Sequence, residues 1–579
     1  MKKTLLPLAV LAFPFLTSAR VLTIPKGEIA LKEISAQKTY VLKSSKGTIL
    51  QQSMLSQLTP ENWFNLAPSQ GAEGVGSELV YEKYGVAASE DIIVAVIDSG
   101  VDVNHEDLQG KIWINSKEIP NNGIDDDQNG YIDDVFGWNF IGGADGMAAI
   151  EADANLENGL RLVKGKVEAQ IDADTLEVTR ELVRMKKLKL SVERLGESLT
   201  SEQAEYLNKL TKVVGDAAGS AKKIVAEYSL KKESYLKNEK ILKEAGLSEV
   251  SIPALRSFTS DDAAVKIAKN ELLALLSAGN NLPRLEAILG YYGDQARYYY
   301  NEEFNPRDRV KDDYSNQTER FYGNNDVIGP DSSHGTHVSG IIAAERDNSV
   351  GIKGVATNVK IMAIRVVPNG DERDKDVANG IRYAVDNGAK IINMSFGKAY
   401  SPFKKVVDEA VRYAESKGVL MVHAAGNDNK NNDILTSYPS RFDKLNANRE
   451  FRNWMEIGAS SFKKGLSLPA DFSNYGKKTV DIFAPGVDIL SATPDNSYDT
   501  YSGTSMAAPA ASGVAALALS YAPSMDAEAM KALMLDTSRR YPNLKVNRPG
   551  EEVQVLFSEL SSNGGITDAL KAVNSLFNP

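Results

Sequence analysis

The sequence predicts an α/β protein built on a mostly parallel sheet, and three observations point to it. From Asp91 onwards short, almost wholly apolar runs alternate with helical patterns, as strands covered by helices on both faces require. Hydrophobic residues are 42% of the chain and charged residues 25%, the balance of a globular protein. At 579 residues there is length for several domains and a substantial core.

Ile92–Ile97 is the first expected strand, followed by Val359–Val367, Lys390–Met394 and Val419–His423, each nearly all apolar. Helices are expected over Val377–Asp386 and Phe403–Ser416, the second stopped by Gly418. Between the first two strands, residues 146–303 differ in kind. They are rich in Lys, Glu, Leu and Ala, and Val178, Leu182, Met185, Leu188, Val192 and Leu195 recur every three or four positions. This predicts an inserted helical domain. Thr200 with Gln203, and Thr259 with Asp262, have the spacing of capping boxes and divide it into several helices.

A formal charge of −11 argues against a polyanionic partner, so neither nucleic acid nor an anionic lipid surface is expected. With no cysteine, disulfides, thiolate nucleophiles and cysteine-ligated metals are excluded, leaving oxygen, nitrogen or a hard metal ion for any chemistry. At the start, Lys2-Lys3, an apolar stretch from Leu5 to Leu16 and then Thr17-Ser18-Ala19 have the pattern of a signal peptide over residues 1–19. The stretch holds Pro7 and Pro14 and falls short of the ~20 residues a spanning helix needs. A secreted or periplasmic protein is expected, with no membrane span in its mature chain.

Four histidines make the search for a general base short: His105, His334, His337 and His423. His334 opens His334-Gly335-Thr336-His337-Val338-Ser339-Gly340, where small residues let a helix start tight against the sheet. Strand Ile92–Ile97 ends in Asp98-Ser99-Gly100, placing a carboxylate at the edge where sites in parallel sheets form. Gly503-Thr504-Ser505-Met506-Ala507-Ala508-Pro509 puts Ser505 at the head of a small-residue helix, its hydroxyl exposed and first-turn N–H groups beside it. Separately each has a structural reading, as a strand-end cap, a core histidine or a helix cap. His337, His105 and His423 are read as structural.

Taken together, in the order Asp98, His334, Ser505, these surroundings resemble the subtilisin-like serine proteases, the subtilase family (peptidase S8). The resemblance extends to Ala424-Ala425-Gly426-Asn427, Ser395-Phe396-Gly397, Phe472-Ser473-Asn474-Tyr475-Gly476, Val480–Gly486 and Gly564-Gly565-Ile566. It implies a subtilisin-like sheet flanked by helices and a secreted serine endopeptidase acting through an acyl-enzyme. Ser505 would be the nucleophile, His334 the base, Asp98 its orienting carboxylate and Asn427 an oxyanion donor. Ser395, Phe396, Gly397, Ala425 and Gly426 would line the substrate cleft, with a large apolar residue expected before the scissile bond. Residues 76–145 and 304–579 would be the two parts of the catalytic domain, and 20–75 an N-terminal extension or short propeptide. The alternatives are a catalytically idle scaffold and a metal-dependent hydrolase; the four intact residues argue against the first, and the lack of a histidine ligand cluster against the second. Protein or peptide substrates are expected and no organic cofactor, while the oligomeric state is left open.

The 236 residues separating Asp98 from His334 exceed a compact subtilase, and the insertion accounts for them. Its flanks must both return to the site, which places it on the rim and suggests a role in gating substrate. The run Asp125–Asp134 carries oxygen ligands at alternate positions with Gly130 at the turn, similar to the first part of an EF-hand loop. A structural Ca²⁺ is expected on Asp125, Asp127, Asn129, Tyr131 and Asp134, Phe136 standing where the usual glutamate would be.

Overall fold

A computed structural model describes residues 61–446 and 449–577. The expected signal peptide, and residues 20–60 of the expected extension, lie outside the described residues. The chain divides into two compact units. One comprises described residues 61–177 and 305–577, the other Val178–Phe304.

The larger unit is organised by a nine-stranded sheet: β1 (Ile92–Asp98), β2 (Gly137–Asn139), β3 (Val359–Arg365), β4 (Ile391–Met394), β5 (Leu420–Ala424), β6 (Trp454–Ser460), β7 (Ile482–Pro485), β8 (Arg539–Arg540) and β9 (Gly565–Ile566). Their spatial order is β8-β9-β7-β6-β5-β4-β1-β3-β2, with every neighbouring pair parallel except β8 with β9. Four helices cover the faces: α1 (Ser333–Ala343), α2 (Asp374–Asp386), α3 (Lys404–Ser416) and α4 (Thr504–Tyr521). Side chains alternate along each strand, so one core gathers Ala95, Ile97, Met362, Ile364, Ile392, Met394 and Met421. Val377, Ile381 and Ala384 of α2 close that core together with Val407, Val411 and Ala414 of α3. Helices α1 and α4 pack on each other and against the sheet. The architecture is therefore the α/β sheet flanked by helices that the sequence predicts.

The four expected strands are present within two residues at each end. Helix α2 starts earlier than expected, at Asp374, because its first turn is charged and yet buried. Arg307 binds Asp376 through two hydrogen bonds of 2.6 and 2.7 Å, and Lys375, fully buried, reaches Asp312 at 2.6 Å. Apolar periodicity cannot register such a turn.

The smaller unit is helical. Its longest helix, Ser201–Glu244, has 44 residues and begins at a capping box in which the Thr200 hydroxyl accepts from Gln203 N while the Gln203 side chain accepts from Thr200 N. Ala263–Ser277 and Leu282–Asp294 pack against it around Tyr228, Tyr235, Leu242, Leu272 and Leu285. The expected cap at Thr259 is corrected: Asp262 caps instead, accepting from Ala264 N at 2.7 Å and Val265 N at 3.2 Å. The expected start of the insertion at 146 is displaced as well, since residues 146–177 cluster with the larger unit. Polar hooks hold them there: Leu162 exchanges two hydrogen bonds with the Asn104 side chain, Gln170 accepts from Asn139 Nδ2 at 2.5 Å, and Ile171 N donates to Ile141 O at 2.8 Å.

Candidate active site

The C-terminal edge of the parallel strands brings three segments together. Asp98 is the last residue of β1 and is almost wholly buried, with Ser99 N donating to its Oδ1 at 2.7 Å. Beyond it Gly100 turns with φ +127°, and a Cβ there would stand 2.5 Å from Ile328 O. Helix α1 begins at Ser333 and presents His334, whose Nδ1 lies 2.7 Å from Asp98 Oδ1. That distance depends on Gly335, where any Cβ would overlap the Gly100 carbonyl oxygen. The Thr336 hydroxyl fastens the same junction, accepting from Asp102 N and donating to Ser332 O. With Nδ1 bonded to a carboxylate, the hydrogen sits on Nδ1 and Nε2 is left as the acceptor of the neutral ring.

Ser505 stands in the first turn of α4. Pro509, four residues on, has no N–H, so the Ser505 carbonyl loses its helical donor. The Ser395 hydroxyl replaces it, donating to Ser505 O at 2.8 Å, and the Ser505 hydroxyl donates back to Ser395 O at 3.0 Å. Asn393 Nδ2 donates to Ser395 Oγ at 2.9 Å, and Ser512 Oγ donates to Asn393 Oδ1 at 2.9 Å. A buried chain of hydrogen bonds thus runs from mid-α4 through the end of β4 to the head of α4.

Asn427 faces the same turn. Its Oδ1 accepts from Thr504 N at 2.8 Å and Thr504 Oγ1 at 2.9 Å, which fixes the amide orientation and leaves Nδ2 as the free donor side. Gly426 N donates to Thr504 Oγ1 at 3.1 Å, and its φ of +104° together with Asn474 leaves no room for a side chain. Of the expected cleft residues, Phe396 is largely buried and Gly397 is exposed. Ala425 is wholly buried. It belongs to a buried cluster with Leu468, Val480 and Phe483, its N–H donates to Ile457 O, and its carbonyl accepts from Asn432 and Asn474.

A carboxylate–imidazole pair, a helix-head serine and a side-chain amide thus stand at one sheet edge, and the subtilase family model matches residues 89–553. The chain belongs to the subtilase family, a family of serine-type endopeptidases. It is 42% identical over 187 residues to the thermophilic serine proteinase of Bacillus sp. (strain AK1), covering 32% of this chain and 42% of that protein. With the cell wall-associated protease of Bacillus subtilis (strain 168) the identity is 38% over 219 residues, 38% of this chain and 22% of that one. Subtilisin DY of Bacillus licheniformis is 36% identical over 211 residues, 36% of this chain and 70% of its own. The matches therefore span less than half the length of the first two relatives. Among solved structures, a protease of Pseudoalteromonas arctica aligns over 89% of this chain and 97% of its own, at 19% identity and a TM-score of 0.43.

In the acidic loop, two of the five expected calcium ligands, Asp125 and Asp127, converge with a third carboxylate, Glu118. Glu118, Asp125 and Asp127 each bring one carboxylate oxygen within 4.8 Å of the others. Asp134 accepts three side-chain hydrogen bonds: Tyr383 OH donates to it at 2.6 Å, Asn115 at 2.8 Å and Asn129 at 3.0 Å, and burial pushes its carboxyl up to about 7. Asn129 donates that bond from Nδ2 and accepts from Tyr131 N at Oδ1, at 2.8 Å, while the Tyr131 ring lies in an aromatic core with Trp138, Phe140 and Tyr383. Sequence reasoning missed Glu118, which lies outside the Asp/Asn/Gly run, and missed Asn393, whose signal was an amide inside an apolar strand.

Proposed function

We propose that the protein is a secreted or periplasmic serine endopeptidase that cleaves peptide bonds through Asp98, His334 and Ser505. The observation that carries this reading is the 2.7 Å Asp98–His334 bond at the sheet edge where Ser505 heads a buried helix. For attack, the Ser505 hydroxyl proton turns from Ser395 O to His334 Nε2, and Oγ adds to the scissile carbonyl. Asp98 keeps the imidazole in the right tautomer and stabilises the imidazolium. The developing oxyanion is met by Asn427 Nδ2 and the Ser505 N–H, and loss of one such donor costs about 3 kcal/mol of barrier. The imidazolium then protonates the leaving amine, and water hydrolyses the acyl-enzyme by the same route in reverse. An extended peptide would lie along Ser395–Gly397. Fluorophosphonate labelling, read by peptide mapping, tests the assignment. Modification at Ser505 that disappears in Ser505→Ala is expected; a folded protein that stays unmodified would remove the reading.

Export rests on the Lys2–Ala19 pattern, together with the finding that among the described residues no helix is long and apolar enough to cross a membrane. Sequencing the N-terminus of the exported chain checks it, with a start at Arg20 expected. Glu118, Asp125 and Asp127 fit a hard cation, because three converging carboxylates repel one another without one and oxygen donors suit calcium. Calcium there would brace the loop that leads into β2. Chelation should lower Tm, and calcium, not magnesium, should restore it; an unchanged Tm with no metal by elemental analysis would count against the site.

A further inference from the structure

Arg365, the last residue of β3, pairs in register with Asp98 of β1 on one side and with Asn139 of β2 on the other. Register partners present their side chains to the same face, so the guanidinium lies on the face of the sheet that carries the Asp98 carboxylate. It is 2% exposed, and although burial lowers its pKa to about 10, it stays charged at neutral pH. A buried cation is costly, and this one donates to three neutral oxygens from three segments. Its Nε donates to Ser99 O at 2.8 Å, one terminal nitrogen to Asn139 Oδ1 at 3.3 Å and the other to Ile171 O at 2.6 Å. Gly329, with φ +61°, makes room for the guanidinium, since a Cβ there would overlap Arg365 Nε.

The turn gripped in this way carries the carboxylate. Asp98 is held through Oδ1 alone, which accepts from Ser99 N at 2.7 Å and meets His334 Nδ1 at 2.7 Å. Its Oδ2 is buried without a hydrogen-bond partner among the described residues, and so is Ser99 Oγ. The rotation of the carboxylate therefore depends on the Ser99 amide, and the pose of Ser99 depends on what holds its carbonyl. We infer that Arg365 is a positioning residue, fixing the Asp98-Ser99-Gly100 turn so that the carboxylate meets His334, and that the segment around Ile171 belongs to the same support. The inference rests on the reading of Asp98 and His334 as catalytic. Arginine suits the task because its rigid fork of donors spans several segments at once, where an ammonium is a single point. Through Ile171 the long excursion between β2 and β3 is tied to the residue that follows Asp98.

The test uses the whole protein with two substitutions. Arg365→Lys keeps a cation and loses the fork; Gly329→Ala keeps Arg365 and displaces its guanidinium. Titration of Ser505 with a fluorophosphonate gives kcat per competent site, so a smaller folded fraction does not count as lost activity. The hydrogen on His334 Nδ1 is followed as the far-downfield proton resonance of an imidazole bonded to a carboxylate. We expect kcat for a peptide amide to fall by about 10²-fold, the cost of a displacement near 1 Å, and the resonance to shift or broaden. KM should hold, because the buried guanidinium does not meet the substrate. A role confined to pinning Ile171 to the sheet would lower Tm and leave kcat per site and the resonance unchanged. That result overturns the inference, and labelling of the unaltered protein at Ser505 then leaves the proposed activity standing. Should Arg365→Lys fail to fold, Gly329→Ala decides. A folded, unaltered protein that neither labels at Ser505 nor shows the resonance overturns both.

Discussion

One helical turn beyond His334, His337 has its whole ring out of water, stacked on Tyr501 with centroids 4.3 Å apart. Its Nε2 lies 3.1 Å from the carbonyls of both Ile489 and Asp499, so it carries the hydrogen and donates to them. Burial lowers its pKa from 6.5 to about 3. Between those values the unfolded chain holds a proton that the folded chain refuses, so the contribution is complete above pH 6.5 and is lost as pH falls towards 3. The slope approaches about 1.4 kcal/mol per pH unit. Urea titrations at pH 7, 5.5 and 4.5 should show this slope, and His337→Phe should lack it; parallel stability profiles for the two proteins would sink the idea. Residues that act through their neighbours in sequence were legible, as in Asp98-Ser99-Gly100 and His334-Gly335. The pairing of His423 with Glu456 was not, because the two stand on different strands.

Between elements, the decisive dimension is how closely α1 approaches β1. Gly335→Ala would push the helix off the Gly100 carbonyl and open the Asp98–His334 contact. A shift near 1 Å costs about 10²-fold in rate, so Ser505 labelling should slow by that order. Gly215 and Gly219 supply the opposite case, since both are exposed within the long helix and a Cβ would meet nothing within 4 Å. Alanine at either should stabilise its unit by about 0.5–1 kcal/mol and leave labelling unchanged. Equal effects at Gly335 and Gly215 would show that helix propensity, and not close approach, governs both. The same distinction explains which elements could be read in advance. Strands β1, β3, β4 and β5 announce themselves as apolar runs, whereas β2, β8 and β9 have two or three residues each and carry no periodicity. The first turn of α2 hides behind buried ion pairs.

At the scale of the molecule, each of the two units carries its own core. In the smaller, buried residues gather around Tyr228, Leu242, Leu272 and Leu285; in the larger, the sheet and its helices enclose far more. The helical character of the insertion was legible from its three- and four-residue spacing. Its boundary was not, because hydrogen bonds from Asn104, Asn139 and Ile141 tie residues 146–177 to the sheet unit without an apolar pattern. All four tryptophans, Trp63, Trp113, Trp138 and Trp454, lie in the larger unit. The long helices of the smaller unit contribute heavily to ellipticity at 222 nm. Separate cores unfold as separate cooperative bodies, and the smaller core is the more marginal. In rising urea, ellipticity should therefore begin to fall before tryptophan emission shifts, and Ser505 labelling should survive the first transition and vanish with the second. Superimposable curves from both probes would mean that the two units unfold as one cooperative body.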